Sequence, residues 1–413
     1  MLNPLNMARF LDGWERGLVA GLCLSLALLG VGRVEVFSTG VSMSAWSVSR
    51  TTFFFWLIFK LLVLARSGWP AGSSELSSLK PLFLFFFAVT LSLLPDFRQP
   101  GDYRYFFFGC AHAVMLVDLF SSSPQKRWLP VIMGVLPLAL VARGLAHDPS
   151  ILNLSLAQRF GYPLDHPNTA GYLFSMSIPL AVWVAATPAG GWRYLSVFSC
   201  ASQTFALVLT FSRGAWLGWT AAMLYLAITL GKAKYLAALM TLALACVLVS
   251  PSIQDRLASV ARPHDDLAIQ ERLQRLTSAV QLGMDHPFLG VGYGRGRLKE
   301  SLPHYFKGTL LENSPVLHTH NVYAELFAGT GLVGLLTFLW MTGRMLFRLW
   351  RSSLTRDGPE RLLGFALTAS WIAAIVTGLG DVPFYHHETR IFFFTLLALA
   401  CMYVSARDAG DRQ

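Results

Sequence analysis

The stretch HTHNVYAELFAGTGLVGLLTFLW, residues 318–340, joins a polar cluster to an apolar run that continues to about residue 342. Its polar start holds His318, His320, Asn321 and Tyr323. A transmembrane helix needs about 20 mostly apolar residues, and this run is long enough. Because ionisable side chains are costly at a membrane and are commonly functional there, the junction predicts a site at the mouth of a membrane helix.

The composition of the whole chain excludes an ordinary soluble domain. Of its 413 residues, 54% are hydrophobic and 14% are charged, and the mean hydropathy is +0.50. Soluble domains carry about 25% charged residues. We therefore predict an all-α polytopic membrane protein that forms a single integral membrane domain over residues 1–413. About twelve candidate transmembrane helices lie near 17–31, 46–65, 81–96, 104–122, 128–143, 169–187, 194–211, 214–231, 234–250, 320–342, 362–380 and 390–406.

The distribution of Lys and Arg predicts the orientation, because cytoplasmic loops carry an excess of both. With the N-terminus placed inside, sixteen Lys and Arg fall in the inner segments and eight in the short outer loops. Residues 251–319 then form one large periplasmic loop with helices of its own, and the protein is a multi-pass protein of a bacterial inner membrane. The net charge of +10 is partly this orientation signal, so nucleic acid is not an expected partner.

Within that loop, Asp265 or Asp266 can cap a helix that extends to Met284. Arg272 and Arg275 lie on one stripe of this helix, and Leu273, Leu276, Val280 and Met284 form a neighbouring apolar stripe. We expect the helix to lie on the membrane surface or the helix bundle and to present the two arginines to a phosphate. The glycine-rich segment 286–297 that follows predicts a loop re-entering the bundle, with Tyr293 available to a sugar.

Two further arginines fall at outer turns. Arg213 occupies a very short turn between two apolar segments, so its guanidinium is held at the depth of lipid headgroups and suits a diphosphate. Arg159 precedes the sixth apolar segment and could line an outer site together with His166, although a simple interfacial role fits equally well.

Other polar residues favour structural roles. Lys60 and Asp118 lie toward the inner ends of their apolar segments and could snorkel or pair with each other. The five cysteines all fall in apolar segments and predict no disulfide or metal framework. No acidic residue stands at ligand spacing beside His318 and His320 in the sequence, so we expect no metal site and no cofactor.

Three motifs in this order resemble the O-antigen ligase and O-antigen polymerase superfamily, and most closely the ligase that joins a surface polymer to lipid A-core. The first is Ser212-Arg213-Gly214, the second runs from Glu271-Arg272 to Asp285-His-Pro-Phe-Leu-Gly-Val-Gly-Tyr-Gly294, and the third is His318-x-His320-Asn321-x-Tyr323-x-Glu325 with Gly331-Leu-Val-Gly334. The resemblance covers about half of the chain, from near Tyr162 to Arg390. It implies an all-helical membrane bundle capped by one outer loop, and a periplasmic reaction on undecaprenyl diphosphate-linked glycans.

The resemblance also implies roles for individual residues. Arg213 and Arg272 correspond to arginines that hold the donor diphosphate, His320 corresponds to the essential histidine that acts as base, and Asp381 fits an acidic position. Asp381 and Arg390 belong to the last outer turn, at the same membrane level as the junction. The predicted catalytic residues are therefore His320, Arg213 and Arg272, and the predicted substrate-binding residues are Arg159, Arg275, Tyr293, His318, Asn321, Tyr323, Asp381 and Arg390.

The function implied is transfer of O-antigen polysaccharide from undecaprenyl diphosphate to a sugar hydroxyl of lipid A-core, in lipopolysaccharide biosynthesis, with inversion and without a metal. Membrane lipids surround the protein, and the donor and acceptor are its expected partners. The alternatives are an O-antigen polymerase, in which the acceptor is a second lipid-linked glycan, and a protein O-oligosaccharyltransferase. A glycolipid flippase or transporter is the non-enzymatic alternative. Transport predicts polar residues through the middle of the membrane, whereas here they cluster toward the outer surface.

Overall fold

The computed structural model describes most of the chain. The described residues are 4–31, 34–36, 41–67, 77–94, 101–121, 123–153, 158–164, 166–187, 192–231, 237, 241, 244–245, 248, 250–261, 266–312 and 318–410.

Helices dominate the described residues, as the sequence predicts. A small antiparallel hairpin of β1 (Val34–Val36) and β2 (Val41–Met43) follows the first helix. The helices of the first half are α1 (Pro4–Val31), α2 (Ala45–Ser67), α3 (Lys80–Leu91), α4 (Gly101–Phe120), α5 (Leu129–Val135), α6 (Pro137–His147), α7 (Pro167–Ala186), α8 (Trp192–Leu209) and α9 (Arg213–Leu230). Those of the second half are α10 (Pro251–Ala261), α11 (Leu267–Asp285), α12 (Arg295–Ser301), α13 (Val322–Leu354), α14 (Gly358–Thr377) and α15 (His387–Gly410).

The membrane class is supported by five helical stretches that are long and apolar enough to cross a bilayer among the residues described. They are Pro124–His147, Pro167–Ala186, Val322–Leu354, Gly358–Thr377 and His387–Ala406. The chain is therefore a helical membrane protein. Most of the other predicted segments are helices too, namely α1, α2, α3, α4, α8 and α9, and α3 is apolar but shorter than a full span. The predicted segment 234–250 lies almost wholly outside the described residues.

Helix α15 forms the centre of the bundle. It is almost entirely buried and packs against α4, α13, α14 and α7. Aromatic rings fill the space around it, since Phe393 stacks on Trp371 and Phe394 contacts Phe106. On the other side of the bundle, α14 packs against α7, α9 and α13. This arrangement brings the starts of α7, α13 and α15 and the end of α14 to one end of the bundle.

The suggested pairing of Lys60 with Asp118 is confirmed. Lys60 Nζ lies 2.7 Å from Asp118 Oδ2, so the two charges neutralise each other between α2 and α4. The cysteines Cys23, Cys110, Cys200 and Cys401 are free thiols, and the last three are buried as small core residues.

A kink in α13 holds the glycine-rich loop that the sequence predicts to re-enter the bundle. Gly331 has a backbone φ of +63°, a value that residues other than glycine rarely adopt. The kink frees backbone groups, and the N–H of Leu332 donates to the carbonyl of Pro287 at 2.7 Å. In the same way the N–H groups of Val291 and Gly292 donate to α13 carbonyls. The re-entrant loop is therefore confirmed, and its glycines serve close backbone contact with α13.

Helix α11 packs on α13 through its arginine stripe. Asp266 caps it, with Oδ1 accepting from the N–H groups of Ala268 and Ile269, as one of the two predicted caps. Arg275, Ala279 and Leu282 are buried, whereas Leu273, Val280 and Met284 are exposed. The arginine side thus faces the bundle, and the apolar stripe lies on the outside of the described structure except for Leu276, which packs against Ala279 and its neighbours.

Candidate active site

The site is built on a tight turn that precedes α13. His320 has a backbone φ of +55°, which a residue other than glycine adopts only where surrounding contacts impose it. The N–H of His320 donates to Nδ1 of His318 at 3.2 Å, and the two rings lie 3.9 Å apart. The N–H of Thr319 donates to Oε2 of the buried Glu325 at 2.8 Å. The turn is therefore fixed by its own side chains and by the first turn of α13.

Asn321 caps α13, as its position at the junction allows. Its Oδ1 accepts from the N–H groups of Tyr323 and Ala324, each at 3.0 Å. Its Nδ2 donates to the carbonyl of Leu379 at 3.2 Å, which ties the start of α13 to the turn after α14. The hydroxyl of Tyr323 donates to the carbonyl of Ile375 at 2.8 Å. Both predicted substrate contacts therefore hold two helix ends together, and their contact with substrate stays a prediction.

The turn after α14 brings Asp381 to the two histidines. Its Oδ1 lies 4.0 Å from Nδ1 of His318 and 4.0 Å from Nδ1 of His320. The carboxylate is buried, and Oδ1 also accepts from the N–H of Val382 at 2.8 Å. The three side chains could also hold a metal ion, because their ligand atoms all lie within 4.8 Å of one another. Sequence spacing alone gave no acidic neighbour, since Asp381 is more than sixty positions away.

Burial keeps both histidines neutral. It lowers the pKa of His320 to about 2, with His318 and Arg272 adding to the effect. Burial likewise lowers the pKa of His318 to about 3, and Arg295 contributes. A neutral imidazole can accept a proton, as a general base requires.

The predicted arginines reach this cluster from two sides. Burial lowers the pKa of Arg272, while the charges of Asp381 and Asp266 raise it and that of Arg213 lowers it. Arg213 Nη1 lies 2.7 Å from Oδ2 of Asp266, and both side chains are mostly buried. The structure therefore brings Arg213, Arg272 and Asp381 into one electrostatic group. It also pairs Arg213 with the residue that caps α11.

Arg275 and Arg159 lie in more structural surroundings. Arg275 is buried with its guanidinium 6.0 Å from the ring of Phe306, although its charge still lowers the pKa of His320. Arg159 donates from Nε to the carbonyl of Thr210 at 2.8 Å and from Nη2 to Asn168 at 3.0 Å. Arg159 thus supports the turn that carries Arg213.

Tyr293 and Arg390 lie inside the bundle. Tyr293 is 3% exposed, and its ring lies 5.2 Å from that of Phe106. Arg390 is fully buried, where its Nε donates to the carbonyl of Phe384 at 2.6 Å and its guanidinium lies 5.0 Å over the ring of Tyr105. These contacts pack the helices beneath the site, and a role of either residue in binding substrate stays a prediction.

Three further residues join the site, and of these only His166 has a predicted role, beside Arg159. Tyr385 donates its hydroxyl to Oε1 of Glu325, the carboxylate that also holds Thr319. His166 caps α7 through Nδ1, and the charge of Asp381 acts on it. His386 lies close enough for the charges of Asp381 and His318 to affect its pKa, which burial lowers to about 4. Only the closeness of the helix ends reveals these contacts.

The fold and site define a helical membrane protein with a mostly buried histidine, aspartate and arginine cluster at one end of its bundle. Residues 197–339 match the sequence model of the family described as O-Antigen ligase. This match supports placing the chain in the O-antigen ligase and O-antigen polymerase superfamily, as the sequence motifs indicate. No curated protein matches the chain significantly. The matched range contains Arg213, Arg272 and His320, whereas Asp381 lies beyond it.

Proposed function

We propose that the protein is a glycosyltransferase that moves a polysaccharide from undecaprenyl diphosphate to a sugar hydroxyl of lipid A-core. The family match supports an O-antigen ligase or polymerase type of function. The observation that carries the proposal further is the His320, Asp381 and Arg272 cluster. It combines a neutral imidazole, a carboxylate and a cation in one mostly buried space.

The hydrogen bonds of the turn favour His320 over His318 as the base. Nδ1 of His318 accepts the N–H of His320, so neutral His318 carries its proton on Nε2. His318 therefore cannot donate from Nδ1 to Asp381. Nδ1 of His320 is buried and makes no hydrogen bond among the described residues. A shift of about 1 Å would let Nδ1–H of His320 donate to Asp381. Nε2 of His320 would then be left free to take a proton.

The reaction follows from this arrangement. The acceptor hydroxyl attacks the anomeric carbon while Nε2 of His320 takes its proton. The bond from the anomeric carbon to the diphosphate oxygen breaks, and undecaprenyl diphosphate leaves. Direct displacement of this kind inverts the anomeric centre. Asp381 stabilises the imidazolium that forms, as a buried carboxylate does beside a catalytic histidine.

Arg213 and Arg272 bind the leaving diphosphate in this mechanism. A guanidinium can bind phosphate oxygens through two parallel hydrogen bonds, and its charge offsets the charge that develops on the leaving group. Asp266 holds Arg213 until the donor arrives, and the diphosphate then shares or replaces this partner. We propose that the two arginines do the work of a metal ion, although His318, His320 and Asp381 could also bind one.

The proposed location is the inner membrane with the active site facing the periplasm. The excess of Lys and Arg in the predicted inner segments supports this orientation, and it places residues 251–319 outside. About twelve crossings are part of the same proposal, because segments beyond the five apolar spans are helical and lie within the bundle. Residues 1–413 would form one membrane domain with Tyr162 to Arg390 around the site.

The direct test of the function is reconstitution with purified donor and one acceptor at a time. Lipid A-core, a second donor molecule and a pilin protein are offered separately. We expect glycan transfer to lipid A-core. Elongation of the second donor would show a polymerase, and glycosylated pilin would show a protein O-oligosaccharyltransferase. Transbilayer movement of the donor with no transfer to any acceptor would contradict an enzymatic function.

A variant series tests the diphosphate contacts. Arg272→Lys keeps the charge but loses the paired hydrogen bonds, so we expect weaker donor binding and a loss of transfer. Lys307→Arg, on the exposed part of the same loop, is the matched control and should behave as wild type. Transfer by Arg272→Lys at the wild-type rate would contradict diphosphate binding at this residue.

A further inference from the structure

A second polar site lies at the opposite end of the bundle from His320. A cavity of about 310 Å³ opens there between the ends of α7 and α15, the start of α14 and the segment before α5. Its lining includes three cations, Lys126, Arg127 and Arg356, and one carboxylate, Glu360. The rest is mostly apolar or aromatic, with Leu363, Leu367, Leu399, Met402, Trp183, Tyr403, Pro130, Pro359 and Ala406.

The distance between the two sites matches the thickness of a membrane. Helix α7 is capped by His166 at the first site and reaches the cavity at Trp183. At about 1.5 Å per residue these positions are roughly 25 Å apart along the helix. Helix α14 runs from the cavity to the first site, and α15 runs from the first site to the cavity. Since the hydrocarbon core of a bilayer is about 30 Å thick, the cavity lies at the headgroup level of the other leaflet.

Hydrogen bonds fix the positions of several polar side chains at the rim of the cavity. The guanidinium of Arg356 lies 3.8 Å over the ring of Tyr403 and donates to the carbonyl of that residue. The hydroxyl of Tyr403 donates to the carbonyl of Glu360 at 3.0 Å. Trp183 donates from Nε1 to the carbonyl of Pro359 at 3.1 Å, which joins α7 to the start of α14. These bonds hold one cation and two aromatic rings at the rim.

The charge around the cavity favours an anion. Among the described residues that line the cavity, three are cationic and one is a carboxylate, which is largely exposed and lies 3.8 Å from Arg356. Lys126 and Arg127 are exposed, and Lys126 Nζ, which donates to the carbonyl of Ser121 at 2.7 Å, keeps further N–H donors for a ligand at the mouth. Below them, Leu367, Leu399 and Met402 form apolar walls. An anionic group at the mouth with a hydrocarbon chain against the walls fits both halves of the cavity.

We propose that this cavity binds an anionic phospholipid of the leaflet opposite the His320 cluster. Its phosphate contacts Lys126, Arg127 and Arg356, and the first part of one acyl chain packs between the apolar walls. The lipid joins the end of α7 to the start of α14 and the end of α15, three helices that also carry or contact the active site. A bound lipid at this position thus stabilises the helices on which the first site is built.

The test compares lipids and variants in delipidated, purified full-length protein. Phosphatidylglycerol, phosphatidylcholine and inorganic phosphate are added separately, and lipid retention is measured by native mass spectrometry together with the thermal unfolding midpoint. Of these three additions, we expect only phosphatidylglycerol to be retained and to raise the unfolding midpoint. Lys126→Glu with Arg127→Glu should weaken retention about tenfold or more, since each basic residue near an anionic lipid contributes about 1 kcal/mol. Ala406→Trp, which fills the cavity without changing charge, should also reduce retention.

Arg344→Glu with Arg351→Glu is the matched control, because both residues are exposed on α13 and do not line the cavity. It should retain phosphatidylglycerol as wild type does. Equal binding of phosphatidylcholine, an effect of inorganic phosphate alone, or equal loss of lipid in the control would each overturn the proposal. Unchanged retention in both cavity variants would overturn it as well.

Discussion

Replacing Asp381 by asparagine separates the orientation of the base from the binding of the donor. The carboxylate is buried 4.0 Å from Nδ1 of His320, and it gains its importance only when His320 becomes an imidazolium. Two unit charges 4 Å apart attract by about 4 kcal/mol at an effective dielectric constant of about 20. Loss of this attraction in the transition state corresponds to a fall in rate on the order of 10³. The nearby charge of Arg272 reduces the effect, so we expect kcat to fall by about 10²–10³ in Asp381→Asn.

The assay measures transfer of lipid-linked glycan to lipid A-core by purified protein, and equilibrium binding of the donor separately. Donor affinity should change little, because the proposed diphosphate contacts are Arg213 and Arg272. Asp118→Asn is the matched control. Asp118 is also a mostly buried carboxylate with a cationic partner, and it lies near the C-terminal end of α4, outside the candidate site. A kcat within twofold of wild type in Asp381→Asn would refute the proposed orientation of His320. A loss of donor affinity with kcat unchanged would instead assign Asp381 to substrate binding.

Four further outcomes follow from the geometry. EDTA should leave the transfer rate within about twofold of the untreated protein, because the two arginines stabilise the leaving group. A loss of rate in EDTA that an added divalent ion restores would instead place a metal on His318, His320 and Asp381. With the pKa of His320 lowered to about 2, kcat/KM should stay flat from pH 8 to about pH 5, whereas a base with the ordinary value of 6.5 would lose most of its rate over that range. Because the unfolded chain takes up protons below 6.5 while the folded histidines stay neutral, the free energy of unfolding should fall as the pH drops below that value. Gly331→Ala should lower the free energy of unfolding by about 2 kcal/mol or more, because its Cβ would lie 2.2 Å from the carbonyl oxygen of Phe288 at a left-handed backbone position. Gly343→Ala in the same helix meets no atom within 4 Å and should leave that free energy unchanged or raise it, and equal destabilisation of the two variants in denaturant titrations would contradict this account of the kink.

Local signals in the sequence predict much of this fold. Apolar runs mark most of the helices, because a helix that crosses a membrane must present apolar side chains to lipid or to neighbouring helices along its whole length. Asp266 was one of two predicted caps of α11, since a short acidic side chain can accept the first N–H groups of a helix. The pair of Lys60 and Asp118 follows from the cost of isolated charges in apolar surroundings. These features depend on neighbouring residues or on one simple electrostatic rule.

The core of the candidate site depends on contacts that local patterns do not contain. Asp381 meets His320 only because the end of α14 lies beside the start of α13, and no spacing in the sequence encodes this distance. The pairing of Arg213 with Asp266 spans fifty-three positions and changes Arg213 from an isolated cation into a shared one. Tyr293 has the polar hydroxyl of a sugar contact, but the packing of Phe106 and Tyr385 buries it. The sequence therefore predicts which residues belong to the candidate site, but it does not predict which of them contact one another.

The measurement that tests the central claim most directly is the transfer rate and donor affinity of His320→Gln. Glutamine preserves a hydrogen-bonding side chain at the turn but cannot act as a base, so we expect kcat to fall by about 10²–10⁴ with donor affinity nearly unchanged. His304→Gln, at an exposed histidine of the same loop, should behave as wild type. A His320→Gln protein that transfers glycan at the wild-type rate would contradict the account and leave His320 as a residue that only shapes the turn before α13.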